Sequence, residues 1–226
     1  MRFTTKELVS QALWIMNMNK SSAPLIETDD IDALSVEEIL YGNIEIAAHD
    51  ILLVAPIRKL ETGHNLESDI NWTGDKGVIN LPDDFLRLIT FKLVGWSRPA
   101  DIIMEDEEKY QWQSSRFAGV RGNPQSPVVA LCNYPSGLVL EIYSKEAGMD
   151  SHISRALYIP KPKIEQDETI DLPKDLKDAV CYAMAYKSLL TLGEITKAST
   201  FMSLAYQSAD VVIPSNNNSN ADTTNQ

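Results

Sequence analysis

Apolar residues recur every three or four positions at both ends of the chain and every second position in its middle. In "TTKELVSQALWIM", Leu8, Ala12 and Ile15 share one helical face, and Thr4 with Glu7 has capping-box spacing, which predicts a helix starting at Thr4. "NKSSAPLIETDDIDAL" reads as loop. Ser35 with Glu38 repeats the capping-box spacing, Leu34 and Ile39 stand where a hydrophobic staple belongs, and Val36, Leu40, Ala47, Ile51 and Val54 carry one stripe to Pro56. The period then changes. Ile89, Phe91 and Leu93 alternate with Thr90, Lys92 and Val94 as in a half-buried strand. In "PVVALCNYPSGLVLEIYS" two β-rich runs flank a Pro-Ser-Gly turn, which predicts a hairpin, and "SRALYIPKPKI" supplies a further strand ended by Pro160 and Pro162. "MEDEEKYQWQSS" reads as a short acidic helix and "RFAGVRGNPQSP" as irregular chain.

From Pro173 the helical period returns. Leu176, Val180, Ala183 and Leu190 mark one helix, and Gly193 separates it from the next. There Ile195, Ala198, Met202, Ala205, Ala209 and Val212 form a stripe, half of it Ala, suited to close antiparallel packing. Past Pro214, "SNNNSNADTTNQ" has too few apolar groups to pack by itself. The expected class is therefore α+β: a helical bundle from N- and C-terminal helices with a central antiparallel β-rich insert. The segments are residues 1–76 (N-terminal helices and acidic loops), 77–170 (β-rich insert), 171–213 (C-terminal helix pair) and 214–226 (polar tail).

Charge narrows the function. The chain carries 20 Lys and Arg against 32 Asp and Glu, a formal −12. Phosphates are repelled by such a surface, which argues against a nucleic-acid gripper but not against a wall past which DNA slides. Cys132 and Cys181 are the two cysteines, both in apolar runs, which is neither a disulfide framework nor a zinc spacing and suits a reducing compartment. The first twenty residues lack the features of a signal peptide, and no apolar run approaches the ~18 residues of a membrane span, so a soluble, cytosolic-type chain without membrane contact is expected.

Candidate chemistry is sparse. Leu-Pro followed by Asp occurs twice, at Leu81–Asp84 and Leu172–Asp175. Both read as punctuation that ends one element and starts the next, since a carboxylate in a helix's first turn meets free N–H groups and the positive end of the dipole. His49, His64 and His152 sit in no nucleophile–base signature. Glu27, Asp29, Asp30 and Asp32 suggest calcium, but an EF-hand counted from Asp30 finds Leu34 and Ser35 where an oxygen ligand and Gly belong. "AGVRGNP" does not follow a strand into a helix, so it is no nucleotide loop. No cofactor and no metal are expected. An acid/base pair for a hydrolase could come only from Glu105 to Glu108, chiefly Glu107 and Glu108, and a charge run is usually a solvated face. One stretch reads as a contact surface: Tyr110, Trp112 and Phe117 lie among Arg116 and Arg121, the residue types that anchor protein interfaces. The bland alternative folds this loop over the sheet with its aromatics inward.

The order of elements resembles that of the head-to-tail connector (adaptor) proteins of tailed bacteriophages, especially short-tailed ones. The resemblance covers residues 1–213 in outline and is sharp over 80–94, with "LPDDFLR", and over 170–210, where Pro173, Tyr182, Tyr186, Gly193, Glu194, Ala205 and Tyr206 match the family's Leu-Pro, Ala- and Tyr-rich helix, "LGE" and final helix. It implies a non-enzymatic virion protein at the neck, made in the host cytoplasm. Such subunits form a ring, commonly of twelve copies, that extends the DNA channel below the portal protein and docks tail or further ring proteins, with DNA only in passage. It also implies that the polar end, including Pro214, Asn216, Asn217, Asn218 and Gln226, is an arm reaching a neighbour. The long acidic loop and the Asn-rich end depart from the family pattern. The other classes are a further virion binding module or a tail or cargo chaperone, and a virion-associated hydrolase.

Overall fold

A computed structural model describes residues 1–17, 35–60, 63–115, 117, 120–145, 148 and 152–212. In chain order its elements begin with β1 (Arg2–Thr4), α1 (Thr5–Ile15), α2 (Val36–Gly42) and α3 (Ile44–Val54). Strands β2 (His64–Asn65), β3 (Asn71–Thr73), β4 (Lys76–Asn80), β5 (Phe85–Leu93) and β6 (Asp101–Met104) follow. Next come α4 (Glu108–Trp112), β7 (Val128–Tyr134), β8 (Gly137–Ile142), β9 (Ile153–Pro160) and β10 (Thr169–Asp171). The chain closes with α5 (Lys177–Thr191) and α6 (Ile195–Ser208).

This is not the expected helical bundle with an antiparallel insert. The described residues form a mixed α/β, largely sheet-built molecule of six helices and ten strands in three sheets, ordered β1-β10, β2-β9-β5 and β3-β4-β8-β7-β6. Strands β2 and β3 lie in the segment read as helices and acidic loops, and two pairings also escaped the sequence. Strands β1 and β10, three residues each, are too short to display a two-residue period, yet they pair antiparallel from Arg2↔Asp171 to Thr4↔Thr169. And β6 pairs parallel with β7, from Asp101↔Val128 to Met104↔Leu131. A parallel pair needs a crossover of a dozen or more residues, and the acidic helix α4 with its following loop is that crossover.

The chain divides into two compact units, Met1–Leu60 with Pro162–Gln226, and Glu61–Lys161. In the first, α5 is buried almost all round, through Ala179, Val180, Cys181, Ala183, Met184, Ala185, Ser188 and Leu189, because α1, α2, α3 and α6 all pack on it. Thr4 accepts from the Glu7 amide, and Ser35 and Glu38 complete a reciprocal capping box. The stripe from Val36 to Val54 is not one helix: Asn43 separates α2 from α3, so the core residues of α3 are Ile44, Ala47, Ala48, Ile51 and Leu52, and Val54 is exposed. Gly193 adopts φ +79 and lets the Gly193 and Glu194 amides return to the Leu190 and Leu189 carbonyls, which turns the chain into α6. Ala198, Ala205 and Ala209 are buried as expected, whereas Ile195, Leu190 and Val212 are exposed.

In the second unit the three- and five-stranded sheets share a core of Ile79, Phe91, Leu93, Trp96, Leu140 and Ile142. The turn at Pro82–Asp84, closed by the Phe85 amide on the Pro82 carbonyl, carries the chain from one sheet to the other, so the first Leu-Pro is punctuation; the second precedes the short 3-10 turn Lys174–Leu176 that leads into α5. Register shifts along β5 break its two-residue beat: Phe91 and Leu93 are buried, Ile89 only partly. The opposite face of the five-stranded sheet buries Ile103, Ala130, Cys132 and Val139, with Tyr110 and Tyr143 against them.

Candidate functional site

Alternation along β4, β7 and β8 brings Lys76, Cys132, Tyr134, Glu141 and Tyr143 to the sheet face that carries α4. Glu141 is fully buried near the end of β8, the central strand of the five-stranded sheet. Its Oε1 accepts from Lys76 Nζ at 2.6 Å and Tyr134 Oη at 2.5 Å; its Oε2 accepts from Tyr110 Oη at 3.2 Å and from Tyr143 Oη. Burial pushes the Glu141 carboxyl up, but Lys76, Tyr134 and Tyr143 donate to its charged form and hold it below the usual range. Burial likewise pulls Lys76 down, and Glu141 more than restores it, so the ammonium is held above its usual value. Desolvation and the Glu141 charge push Tyr143 up, and desolvation leads the same shift in Tyr110. The cluster is an ionised carboxylate with every strong acceptor position used, ringed by phenols that stay protonated. Such a carboxylate is no free base. Its chemical effect is to fix Tyr110, and through it α4, on the sheet.

Sequence reasoning missed Glu141. The available signal was a single charged residue at an alternating position inside the apolar run "GLVLEIYS".

Around this anchor the expected contact surface divides. Tyr110 points inward, its ring edge-on to Tyr143 at 6.4 Å. Trp112 is 44% exposed and Phe117 76% exposed. Arg121 Nη1 donates to Asp75 Oδ2 at 2.5 Å, and with Lys76, Tyr110, Gln113 and Tyr143 these two residues line an open cleft of about 480 Å³. Gln113 accepts from the Gly122 amide at 2.9 Å and donates to the Lys109 carbonyl at 2.9 Å, tying the loop's two ends together. A Cβ on Gly122 would sit 2.5 Å from Ser144 Oγ, so the close approach requires glycine. Tyr110 and Arg121 thus share a site, Trp112 and Phe117 present apolar surface, and Arg116 lies outside the described residues, as do Pro214, Asn216, Asn217, Asn218 and Gln226.

Two members of the suspected acid run hold backbone amides, and Glu108 stands in the first turn of α4. Glu105 accepts from the Asn133 amide at 3.0 Å and Glu107 from the Met104 amide at 2.9 Å, which fixes the entry to α4. His49 lies 3.4 Å from Asp50, His64 is edge-on to Tyr158, and His152 lines a groove beside β9. Burial pushes the Cys132 thiol up to about 11 and Cys181 up to about 12. Among the described residues no group of three His, Cys, Asp or Glu side chains is arranged to hold a metal, and no helix is long and apolar enough to cross a membrane. The loop with Glu27, Asp29, Asp30 and Asp32 lies outside the described residues.

The first unit carries a second surface that the sequence did not announce. Opposite its core stripe, α3 mixes exposed apolar and polar groups: Ile46 is 53% exposed, Leu53 and Val54 are exposed beside Glu45, His49 and Asp50, and Ile57 in the following 3-10 turn is exposed too. Tyr41 on α2 and Trp14 on α1, at 81%, add to the exposed apolar groups of this unit. No protein-family model matches the chain, and no curated protein is similar to it in sequence.

Proposed function

We propose that this chain is a structural subunit of a multi-protein assembly: a head-to-tail connector of a tailed bacteriophage, ringed below the portal, extending the DNA channel and docking tail proteins. The observation that carries the reading is the group of large apolar side chains that the first unit leaves exposed, Trp14, Tyr41, Ile46, Leu53 and Ile57. Isolated exposed apolar groups are common, but α3 leaves Ile46, Leu53 and Val54 to solvent among Glu45, His49 and Asp50, and the turn that follows adds Ile57. Homo-oligomeric rings cover such a face with a neighbouring copy. Trp112 and Phe117, held out by a loop pinned at Gln113 and Arg121, suit the docking of a second protein. The Leu-Pro, Gly193–Glu194 and Ala-rich helix pattern supports the family.

Light scattering of the purified chain, alone and mixed with a candidate portal protein, tests the proposal. The expected result is a species of about twelve subunits, or a monomer recruited in several copies by the portal. A monomer that ignores every portal sinks it. In that event a non-ring binding module of the virion takes its place.

A further inference from the structure

We propose that Lys92 and Arg155 together form a binding site for a phosphate group. The two residues are directly opposed in the antiparallel pair of β5 and β9. Their neighbours Phe91 and Ala156 are also paired and lie in the core between the sheets, so Lys92 and Arg155 share the other face. Opposed residues in such a ladder have Cβ atoms about 4.5–5.5 Å apart, and like charges there repel.

That repulsion is left standing although carboxylates are in surplus, 32 against 20 basic groups. Elsewhere Lys59, Lys76, Arg98, Arg121, Lys177 and Lys187 each hold a carboxylate within 3.2 Å. Lys92 and Arg155 hold none among the described residues. Arg155 lines an open groove of about 690 Å³ with Glu67 and Asp69, and pairs with neither. Two hydroxyl residues lie close by in the chain. The register shift at Lys92/Leu93 skips Ser154, next to Arg155 and exposed, and Thr90 lies two residues before Lys92 on the same strand face.

The chemistry selects the ligand class. A single carboxylate from a partner protein neutralises one of the two cations. A phosphate group offers several oxygens and up to two charges to the guanidinium fork of Arg155 and the ammonium of Lys92 at once. The group has two possible sources, a small phosphate ester or the backbone of a nucleic acid. The site does not depend on the connector reading.

Two probes separate these sources: pyrophosphate and a short DNA duplex, each titrated at low salt while the backbone amide signals of β5 and β9 and the melting temperature are followed. Binding raises the melting temperature with probe concentration. Lys92→Gln and Arg155→Gln are each expected to weaken the response about tenfold or more, the loss of one hydrogen bond to a charged group. A response to pyrophosphate assigns a small phosphate-bearing molecule; a response to the duplex alone, falling steeply with salt, assigns a nucleic-acid backbone. Without a probe, Lys92→Gln is expected to melt higher than wild type because the repulsion is gone. Should that variant fail to fold, Arg155→Gln, at the more exposed member, carries the test. The proposal is overturned if neither probe moves β5 and β9, or if the variants bind as tightly as wild type.

Discussion

A buried carboxylate is the most consequential single side chain in this protein. Glu141 has no exposed surface and takes its one ion pair from Lys76, whose own side chain is 36% exposed. Lys76→Met strands the charge in the sheet and is expected to cost about 3–5 kcal/mol, read from urea denaturation. Removing both charges, with Glu141→Leu added, should recover part of that loss; a double variant as unstable as Lys76→Met alone contradicts the account. The same residues set a pH dependence. Glu141 titrates in the folded chain below the ordinary 4.5 of a glutamate, so its contribution is complete above that value and is lost as pH falls through the folded pKa. Lys76 titrates above 10.5 when folded, so its contribution holds below 10.5 and is lost as pH rises through the folded value. Tyr110, Tyr134 and Tyr143 are all raised above 10.0, so from about pH 10 the unfolded chain releases phenolic protons that the folded chain keeps. Melting temperature is therefore expected to fall from pH 10 upward. Tyrosine ultraviolet absorbance should show ionisation of Tyr110 and Tyr143 only together with unfolding.

At the scale of elements, the α5–α6 contact rests on alanines. Ala205 is nearly fully buried on α6, where a short side chain lets the two helix backbones approach. Ala205→Leu overfills that gap and is expected to destabilise by about 1–3 kcal/mol in thermal or urea denaturation. An unchanged midpoint removes the close-packing argument. This element was legible from spacing alone: Ala198, Ala205 and Ala209 repeat at intervals that only a helix brings to one face. Its ends were not, because Ile195 and Val212 belong to the same stripe by period yet lie where α5 no longer covers them. Strand β5 shows the converse. Its alternation was visible, but bulges shift the register three times, and bulges depend on the partner strand.

At the scale of the molecule, two predictions follow from how the chain divides. Residues 61–161 are contiguous and enclose their own core between two sheets, so this fragment is expected to fold alone, with a cooperative thermal transition followed by circular dichroism. The first unit needs both chain ends, since β1 pairs with β10 and α1 packs on α5. The exposed side of α3 provides the second prediction. Ile46→Glu with Leu53→Glu changes solvent-facing residues and is expected to leave the monomer's unfolding free energy within about 0.5 kcal/mol of wild type while reducing assembly mass in light scattering. Unchanged assembly mass would remove α3 from the proposed interface.

What the sequence determined by itself was local: the caps at Thr4 and Ser35, the helix break at Gly193, the hairpin at Pro135–Gly137 and the punctuation at Pro82 and Pro173. Each depends on residues within about five positions of one another, where backbone sterics and short-range hydrogen bonds decide the outcome. The candidate site was half legible, since aromatic and Arg composition marked the loop from Tyr110 to Arg121 without showing which side chains turn inward. Tertiary structure decided that. It also decided the parallel pairing of β6 with β7, the pairing of β1 with β10 across the length of the chain, the burial of Glu141 and the facing of Lys92 by Arg155. These depend on which strands become neighbours, and partners separated by tens of residues leave no periodic trace in the chain between them.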